Sequence, residues 1–299
     1  MLAEPLRFLA DLKWIKWLVV AATMLAMTWP LKLGALISVG IRPSGALLAT
    51  FLNLIVAPIL AWPLSGLLTE DLGNGLIIAA AVPSTLASAA VWTRRAGGND
   101  TIAILVTILT NLSCFVITPI WVYGLAGIDW PEGSLSGIIG NLLLFVVAPM
   151  VLGQIMRMSS KSASWADLNK PALSILAQVG ILIMVLIGSI KMGLNFDELD
   201  DFQGPGLWEI LKTLFLVLAL HLTLLSIGFT IGNLTGHSKA DQIAIAFSGS
   251  QKTLMVGLST AVALGLNIIP IVAYHALQLI ADTIIADRLR QPQEPPTPN

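Results

Sequence analysis

Lys252 is the residue whose chemistry most needs an explanation in this chain of 299 residues. It stands in Ala246-Phe247-Ser248-Gly249-Ser250-Gln251-Lys252-Thr253-Leu254-Met255-Val256-Gly257, a polar run flanked by apolar residues on both sides. A cation in the middle of such a segment costs about 2.5–3.5 kcal/mol to insert into a bilayer, so it is expected to face a cavity or a partner. A second interruption reads Ala79-Ala80-Ala81-Val82-Pro83-Ser84-Thr85-Leu86-Ala87-Ser88-Ala89-Ala90. Pro83 lacks a backbone donor and its ring clashes with the carbonyl one turn back, which predicts a kinked or broken helix. Ser84, Thr85 and Ser88 on one break, and Ser248, Ser250, Gln251, Lys252 and Thr253 on the other, could bind an ion or a polar solute. If the two breaks cross, their half-helix ends aim at one volume, where free N–H groups favour anions and free carbonyls favour cations.

Further polar side chains fall within apolar runs. Thr107, Thr110 and Asn111 share a helical face by their i, i+3, i+4 spacing, either as oxygen donors to a site or as packing glue between helices. His221 is isolated within its run and is expected simply to be hydrogen-bonded. His275, Gln278 and Asp282 follow i, i+3, i+7 and share a face; His275 with Asp282 is a candidate proton relay, the alternative being Asp282 paired with Arg288 or lipid headgroups. The three histidines, His221, His237 and His275, have no metal-ligand spacing, and no phosphate-cradling glycine loop or mid-membrane acid pair is present. No enzyme and no cofactor are expected.

The elements that hold these residues must lie in lipid. The chain is 56% hydrophobic and 11% charged, with a mean hydropathy of +0.85, whereas soluble domains carry about 25% charged residues. In a bilayer only helices and closed barrels satisfy the backbone, and apolar runs of about 20 residues without period-two alternation are helices. The net charge of −1 offers no basic field for nucleic acid, and the lone Cys114 excludes an intramolecular disulfide. Spans are expected near 14–30, 31–43, 45–68, 72–93, 100–126, 134–156, 171–190, 207–234, 240–264 and 266–286. The run 31–43 is short for a crossing, and charge parity arbitrates. Ten spans with both termini cytoplasmic put Arg7, Lys13, Lys16, Arg42, Arg94, Arg95, Arg157, Lys161, Lys170, Lys239, Arg288 and Arg290 inside and Lys32, Lys191 and Lys212 outside, as the positive-inside rule prefers. Nine spans would strand the three N-terminal charges outside. Most tryptophans, among them Trp14, Trp29, Trp92, Trp121, Trp130 and Trp165, fall near span ends, as expected of headgroup-level anchors. Asp197 to Asp201 reads as a solvated outer loop, and 287–299 as a disordered tail.

The expected fold is all-α and polytopic, a single membrane domain. Ten spans split into halves of five, and an odd number of crossings makes the second half an inverted repeat of the first, an architecture of many secondary transporters. Both interruptions then occupy the fourth helix of their half, which favours reading them as one site.

On Pro83-Ser84-Thr85-Leu86-Ala87-Ser88, Ala96-Gly97-Gly98-Asn99-Asp100, Thr107-Ile108-Leu109-Thr110-Asn111 with Thr118-Pro119, and Ser250-Gln251-Lys252-Thr253-Leu254-Met255-Val256-Gly257, the chain resembles the bile acid:sodium symporter family, in its bacterial SBF-like branch. The resemblance implies crossing helices 4 and 9, a panel of helices in 14–43 and 134–190, and a core in 45–126 and 207–286. It also implies alternating-access transport of a small organic anion in a bacterial inner membrane, with sodium as coupling ion. Ser88 and Gln251 match sodium ligands of that family. Two family ligands are replaced, an asparagine by Ala89 and an acidic residue by Phe247. Lys252 is therefore expected to supplant one sodium ion, leaving transport coupled to a proton or to a single sodium, or uncoupled. The competing readings are a non-transporting accessory protein and an intramembrane enzyme.

Overall fold

The computed structural model describes residues 8, 13–32, 43–126, 134–198 and 205–290. All its elements are helices, with no strand among the described residues. Six are long and apolar enough to cross a membrane: α2 (Pro43–Ser65), α5 (Asp100–Leu125), α6 (Leu135–Arg157), α8 (Lys170–Leu194, continuing to Glu198), α9 (Leu207–Leu234) and α12 (Ile269–Leu289). α1 (Lys13–Thr28) is apolar but shorter. Two further passes are interrupted, as the sequence predicts: α3 (Glu70–Ala81) with α4 (Ser88–Arg95), and α10 (Lys239–Ser250) with α11 (Leu254–Leu264). A short helix, α7 (Ser160–Leu168), links α6 to α8.

Local chemistry explains several of these elements. α2 and α6 each loosen into a π-turn, at Leu52–Val56 and Leu143–Val147, immediately before Ala57-Pro58 and Ala148-Pro149. Proline cannot donate to the helical ladder, and a wider turn is one way to accommodate it. Small residues let helices approach closely. A Cβ on Gly228 of α9 would lie 2.6 Å from Ala246 Cα of α10, and one on Gly153 of α6 would lie 3.1 Å from Trp29 N just beyond α1.

One face of the molecule is basic. Arg95 pairs with Asp287, Arg94 with Asp100, and Ser44 Oγ lies 3.1 Å from His237 Nε2, so the start of α2, the ends of α4, α9 and α12 and the starts of α5 and α10 share that face. α1 brings its C-terminal end there too. Gln154 Nε2 of α6 donates to Thr28 O, Arg157 Nη1 donates to Trp29 O at 3.3 Å, and Lys32 pairs with Asp167 of α7 at 3.1 Å. Trp17 stacks on Phe145 at 5.2 Å, so α1 and α6 run parallel.

This direction does not fit the expected inverted pairing of the first and sixth helices. An inverted pair of first and sixth helices would be antiparallel. Lys32 and Pro43 lie on the same face, and the expected span at 31–43 lies largely outside the described residues. Among the described residues the chain passes nine times. The Lys13 end of α1 and the Leu289 end of α12 lie on opposite faces, not both on the basic one, and Lys32 is on the basic face, not across from it. α1 is seated by packing, with Thr28 and Trp29 against Gly153 and Thr23 against Gly180. Residues 1–7, Arg42, Trp130, the acidic stretch beyond Glu198 and the tail from Gln291 lie outside the described residues.

Candidate functional site

The two breaks meet. α3 stops at Ala81 because Pro83 cannot continue it, and Val82 turns extended with ψ 157°. α10 stops at Ser250, and Gln251 and Thr253 are extended, with ψ of 145° and 134°. The extended pieces touch through Thr253 N, which donates to Pro83 O at 2.9 Å, and through Ser84 Oγ, which donates to Ser248 O at 2.9 Å.

Breaking a helix in an apolar environment orphans carbonyls, and each must find a donor. Along the first break the donors come from other elements. Ala81 O accepts from Thr118 Oγ1 at 2.9 Å, Val82 O from Lys252 Nζ at 3.0 Å, Ser84 O from Asn111 Nδ2 at 2.9 Å and Thr85 O from Thr107 Oγ1 at 3.0 Å. Thr110 Oγ1 accepts from Ser84 N at 3.2 Å. Along the second break, Asn53 Nδ2 donates to Gln251 O at 2.8 Å and Gly249 O at 3.2 Å. Tyr274 OH donates to Ser250 O at 2.9 Å, and Gln278 Nε2 to Lys252 O at 2.8 Å, while Gln278 Oε1 accepts from Lys252 N at 2.8 Å.

The Lys252 side chain is buried, and its Nζ has no carboxylate partner among the described residues. It donates to Asn53 O at 2.5 Å as well as to Val82 O. Both carbonyls are products of proline: Pro83 ends α3 at Val82, and in the π-register of α2 the partner of Asn53 O would be the missing N–H of Pro58. The lysine thus caps the negative end of a broken helix, where a bound cation would be favoured.

A second polar string runs beside it. Thr85 Oγ1 donates to Gln251 Oε1 at 2.6 Å and Ser88 Oγ to the same oxygen at 2.9 Å, while Thr85 Oγ1 also caps α4 by accepting from Ala89 N at 2.9 Å. Gln251 Nε2 donates to Asp282 Oδ2 at 2.5 Å, and His221 Nε2 lies 2.8 Å from Asp282 Oδ1. The side chains of His221 and Asp282 are 1% and 0% exposed.

Every residue singled out on the two breaks and on α5 is therefore in one cluster, buried except for the half-buried Ser88: Pro83, Ser84, Thr85, Ser88, Thr107, Thr110, Asn111, Ser248, Ser250, Gln251, Lys252 and Thr253. Ser248 and Ser250 contribute carbonyls, their hydroxyls being returned to Ala244 O and Phe247 O. His275 and Asp282 have separate partners and do not bond each other directly. His275 Nδ1 faces Gln278 Nε2 at 2.9 Å and Lys252 O at 3.4 Å, while Asp282 takes His221 from α9. Positions seven apart are about 10 Å apart along a helix, too far for a direct bond. Asp282 is also fully buried, not paired with Arg288 at the membrane surface. Sequence reasoning missed Asn53, whose signal was a lone amide in the apolar run Leu52–Pro58, and Tyr274. Asn53 Oδ1 and Asn111 Oδ1 are buried acceptors with no donor among the described residues.

The sequence pattern of the SBF-like CPA transporter family matches residues 13–291, nearly the whole chain. The chain belongs to this family. It is a family of transporters, not enzymes. Among curated proteins the chain is 28% identical over 240 residues to "Uncharacterized protein PA2026" of Pseudomonas aeruginosa, covering 75% of this chain and 68% of that one. It is 28% identical over 278 residues to "Probable sodium/metabolite cotransporter BASS4, chloroplastic" of Arabidopsis thaliana, covering 87% and 59%. It is 25% identical over 236 residues to "Sodium/bile acid cotransporter 7" of Rattus norvegicus, covering 75% and 66%. The aligned region is thus between 59% and 68% of the length of these relatives.

Proposed function

We propose that this protein is a secondary transporter that moves a small organic anion by alternating access, coupled to a cation. The observation that carries the reading is the meeting of two helix breaks, stapled by Thr253 N to Pro83 O. In transporters such breaks mark the solute and ion site near the bilayer midplane. The directions of the passes support an inverted repeat with one helix unpaired: α1 opposes α8, α2 opposes α9, α3–α4 opposes α10–α11 and α5 opposes α12, leaving α6 without a counterpart. α1, α6 and α8 form the panel, and α2–α5 with α9–α12 form the core that carries the breaks.

A cavity of about 360 Å³ lies between panel and core, lined by Leu86, Thr107, Leu112, Met150 and Gln154 among others. This size suits a small molecule, and its walls favour a solute with an apolar body. The cavity is built from the end of α6 and the start of α5, so it lies toward the basic face. By the positive-inside rule that face is cytoplasmic, which puts the Lys13 end of α1 outside and makes this an inward-open arrangement. Lys252 stands in for one coupling ion, its fixed charge on carbonyls that a sodium ion would otherwise use. Ser88 Oγ, Thr85 Oγ1 and Gln251 Oε1 form a compact oxygen set for a remaining one, the ligand type that hard cations take. The plant relative is named a probable sodium/metabolite cotransporter and the rat relative a sodium/bile acid cotransporter, which supports cation-coupled transport of a small solute.

The test is solute counterflow in proteoliposomes, with solutes chosen as those carboxylates and sulfonates that raise the melting temperature of the purified protein. Trans-stimulated exchange that disappears in Gln251→Ala is the expected result. A stable, ligand-binding protein that gives no trans-stimulation refutes the reading.

A further inference from the structure

We infer that Asp282 and His221 together are a proton-binding site, and that their proton is coupled to transport beside the cation of the Ser88–Thr85–Gln251 oxygens. The inference rests on the transporter reading above and adds a proton to its coupling.

Three observations converge on the pair. His221 Nε2 and Asp282 Oδ1 are 2.8 Å apart with both side chains sealed from solvent. The other buried formal charge, Lys252, is turned away onto the carbonyls of Asn53 and Val82. Finally, the carboxylate is wired to the breaks, since Gln251 Nε2 donates to Asp282 Oδ2 and Gln251 Oε1 accepts the hydroxyls of Thr85 and Ser88.

The charge count calls for one positive charge, and the 2.8 Å between Nε2 and Oδ1 has room for a proton and for no larger cation. With one proton the pair is neutral overall, whether that proton sits on the carboxylate or on the imidazole. With none it holds a buried negative charge, and with two a positive one. Burial penalises both charged states and favours the single-proton state. Loading one proton is therefore what allows the site to close, and releasing it requires the site to open to water. Ser88, half-buried at the start of α4, is the outermost member of the string and lies two positions after Leu86 on the cavity wall.

The surroundings contain little else that titrates. α9 contributes His221 itself. The α10–α11 break contributes Lys252, and α12 contributes Tyr274, whose ring meets His221 edge-on at 5.8 Å, and His275, which faces Gln278. α4 contributes Arg94 and Arg95, which are occupied by Asp100 and Asp287 at the basic face. Protonation at Oδ2 would turn that oxygen into a donor, and Gln251 would have to present Oε1 to it, releasing Thr85 and Ser88. Proton binding is thereby coupled to the oxygens of the break.

The test is charge displacement after a pH jump, recorded from full-length protein in proteoliposomes on a solid-supported membrane, without solute or sodium. Wild-type protein is expected to give a transient current. The current should vanish in Asp282→Asn, persist in the surface variant Asp287→Asn, and shift its pH midpoint in His221→Gln and Asp282→Glu. Because Asp282→Glu keeps the carboxylate, it serves if the asparagine variant does not fold, and an unshifted midpoint there counts against the proposal. A wild-type protein without pH-jump current, or an Asp282→Asn protein that keeps it, overturns the proposal. Counterflow in the same vesicles separates the two claims. Sodium-driven exchange with no proton current leaves the transporter reading and removes the proton site, whereas a proton current without any exchange removes the coupling role and the transporter reading with it.

Discussion

Replacing Lys252 with alanine should convert a fixed charge into a vacant cation seat. The substitution orphans the carbonyls of Asn53 and Val82, which now accept the ammonium at 2.5 and 3.0 Å. Each buried, unpaired acceptor costs about 1–3 kcal/mol. Three lost methylenes add roughly 0.8 kcal/mol each, and removing a charge from the membrane interior returns about 2.5–3.5 kcal/mol. In a sodium-free buffer the net loss is therefore about 1–6 kcal/mol. Sodium should then recover much of it, because two carbonyls and the unpaired Asn53 Oδ1 offer oxygens where the ammonium was. A ligand at about 100 times its dissociation constant stabilises by about 2.7 kcal/mol, on the order of 5 °C in melting temperature for a chain of this size. The assay is thermal unfolding of the purified protein in sodium chloride against choline chloride at equal ionic strength. The variant should show a sodium-dependent rise that exceeds that of the wild type. An equal sodium response in both proteins would refute the idea that Lys252 occupies an ion seat.

Asn53→Leu should lower the melting temperature by removing the donor to Gln251 O and Gly249 O, a loss of roughly 2–4 kcal/mol; a melting curve like that of the wild type would contradict the stapling role. Gly228→Ala places a Cβ 2.6 Å from Ala246 Cα and should cost about 1–3 kcal/mol by overpacking, while Gly140→Ala, with open space around it, should be neutral; equal melting temperatures would show that α9 and α10 are not in close contact. At the basic face, hydrogen bonds from Arg157 and Lys32 hold the Asp167 carboxyl below its ordinary value. That contribution is present above the usual carboxylate range and is lost as pH falls through the lowered value, so stability should decline on acidification less in Asp167→Asn than in wild type, and identical pH profiles would count against the ion pairs.

Much of the site was legible because lipid makes polar residues conspicuous. Pro83 and the run from Ser248 to Lys252 announce breaks, and Thr107, Thr110 and Asn111 share a face that turns out to satisfy the carbonyls those breaks release. Pairing across distant elements was not legible. His221 and Asp282 are 61 positions apart, and nothing in the spacing of α12 favours α9 over His275 on its own helix. The direction of α1 was not legible for a related reason. Positive-inside charge is a bias of modest energy, whereas the direction of α1 is fixed by how Thr23, Thr28 and Trp29 fit against Gly180 and Gly153, and such steric fits are invisible before the helices are placed. Asn53 was overlooked as one amide among apolar residues, although the proline five positions on marks its carbonyl as needing a donor.

The most direct test of the central claim, that a core carrying the stapled breaks moves against a panel, is a spin-label distance across the basic face. Labels at Met158→Cys on the panel side and Lys239→Cys on the core side, in a Cys114→Ser background, sit on exposed positions of α6 and α10. The account predicts two distance populations whose ratio shifts when pH, sodium or a stabilising solute is changed. A single distance, unmoved by any of them in protein that binds the solute, would contradict it.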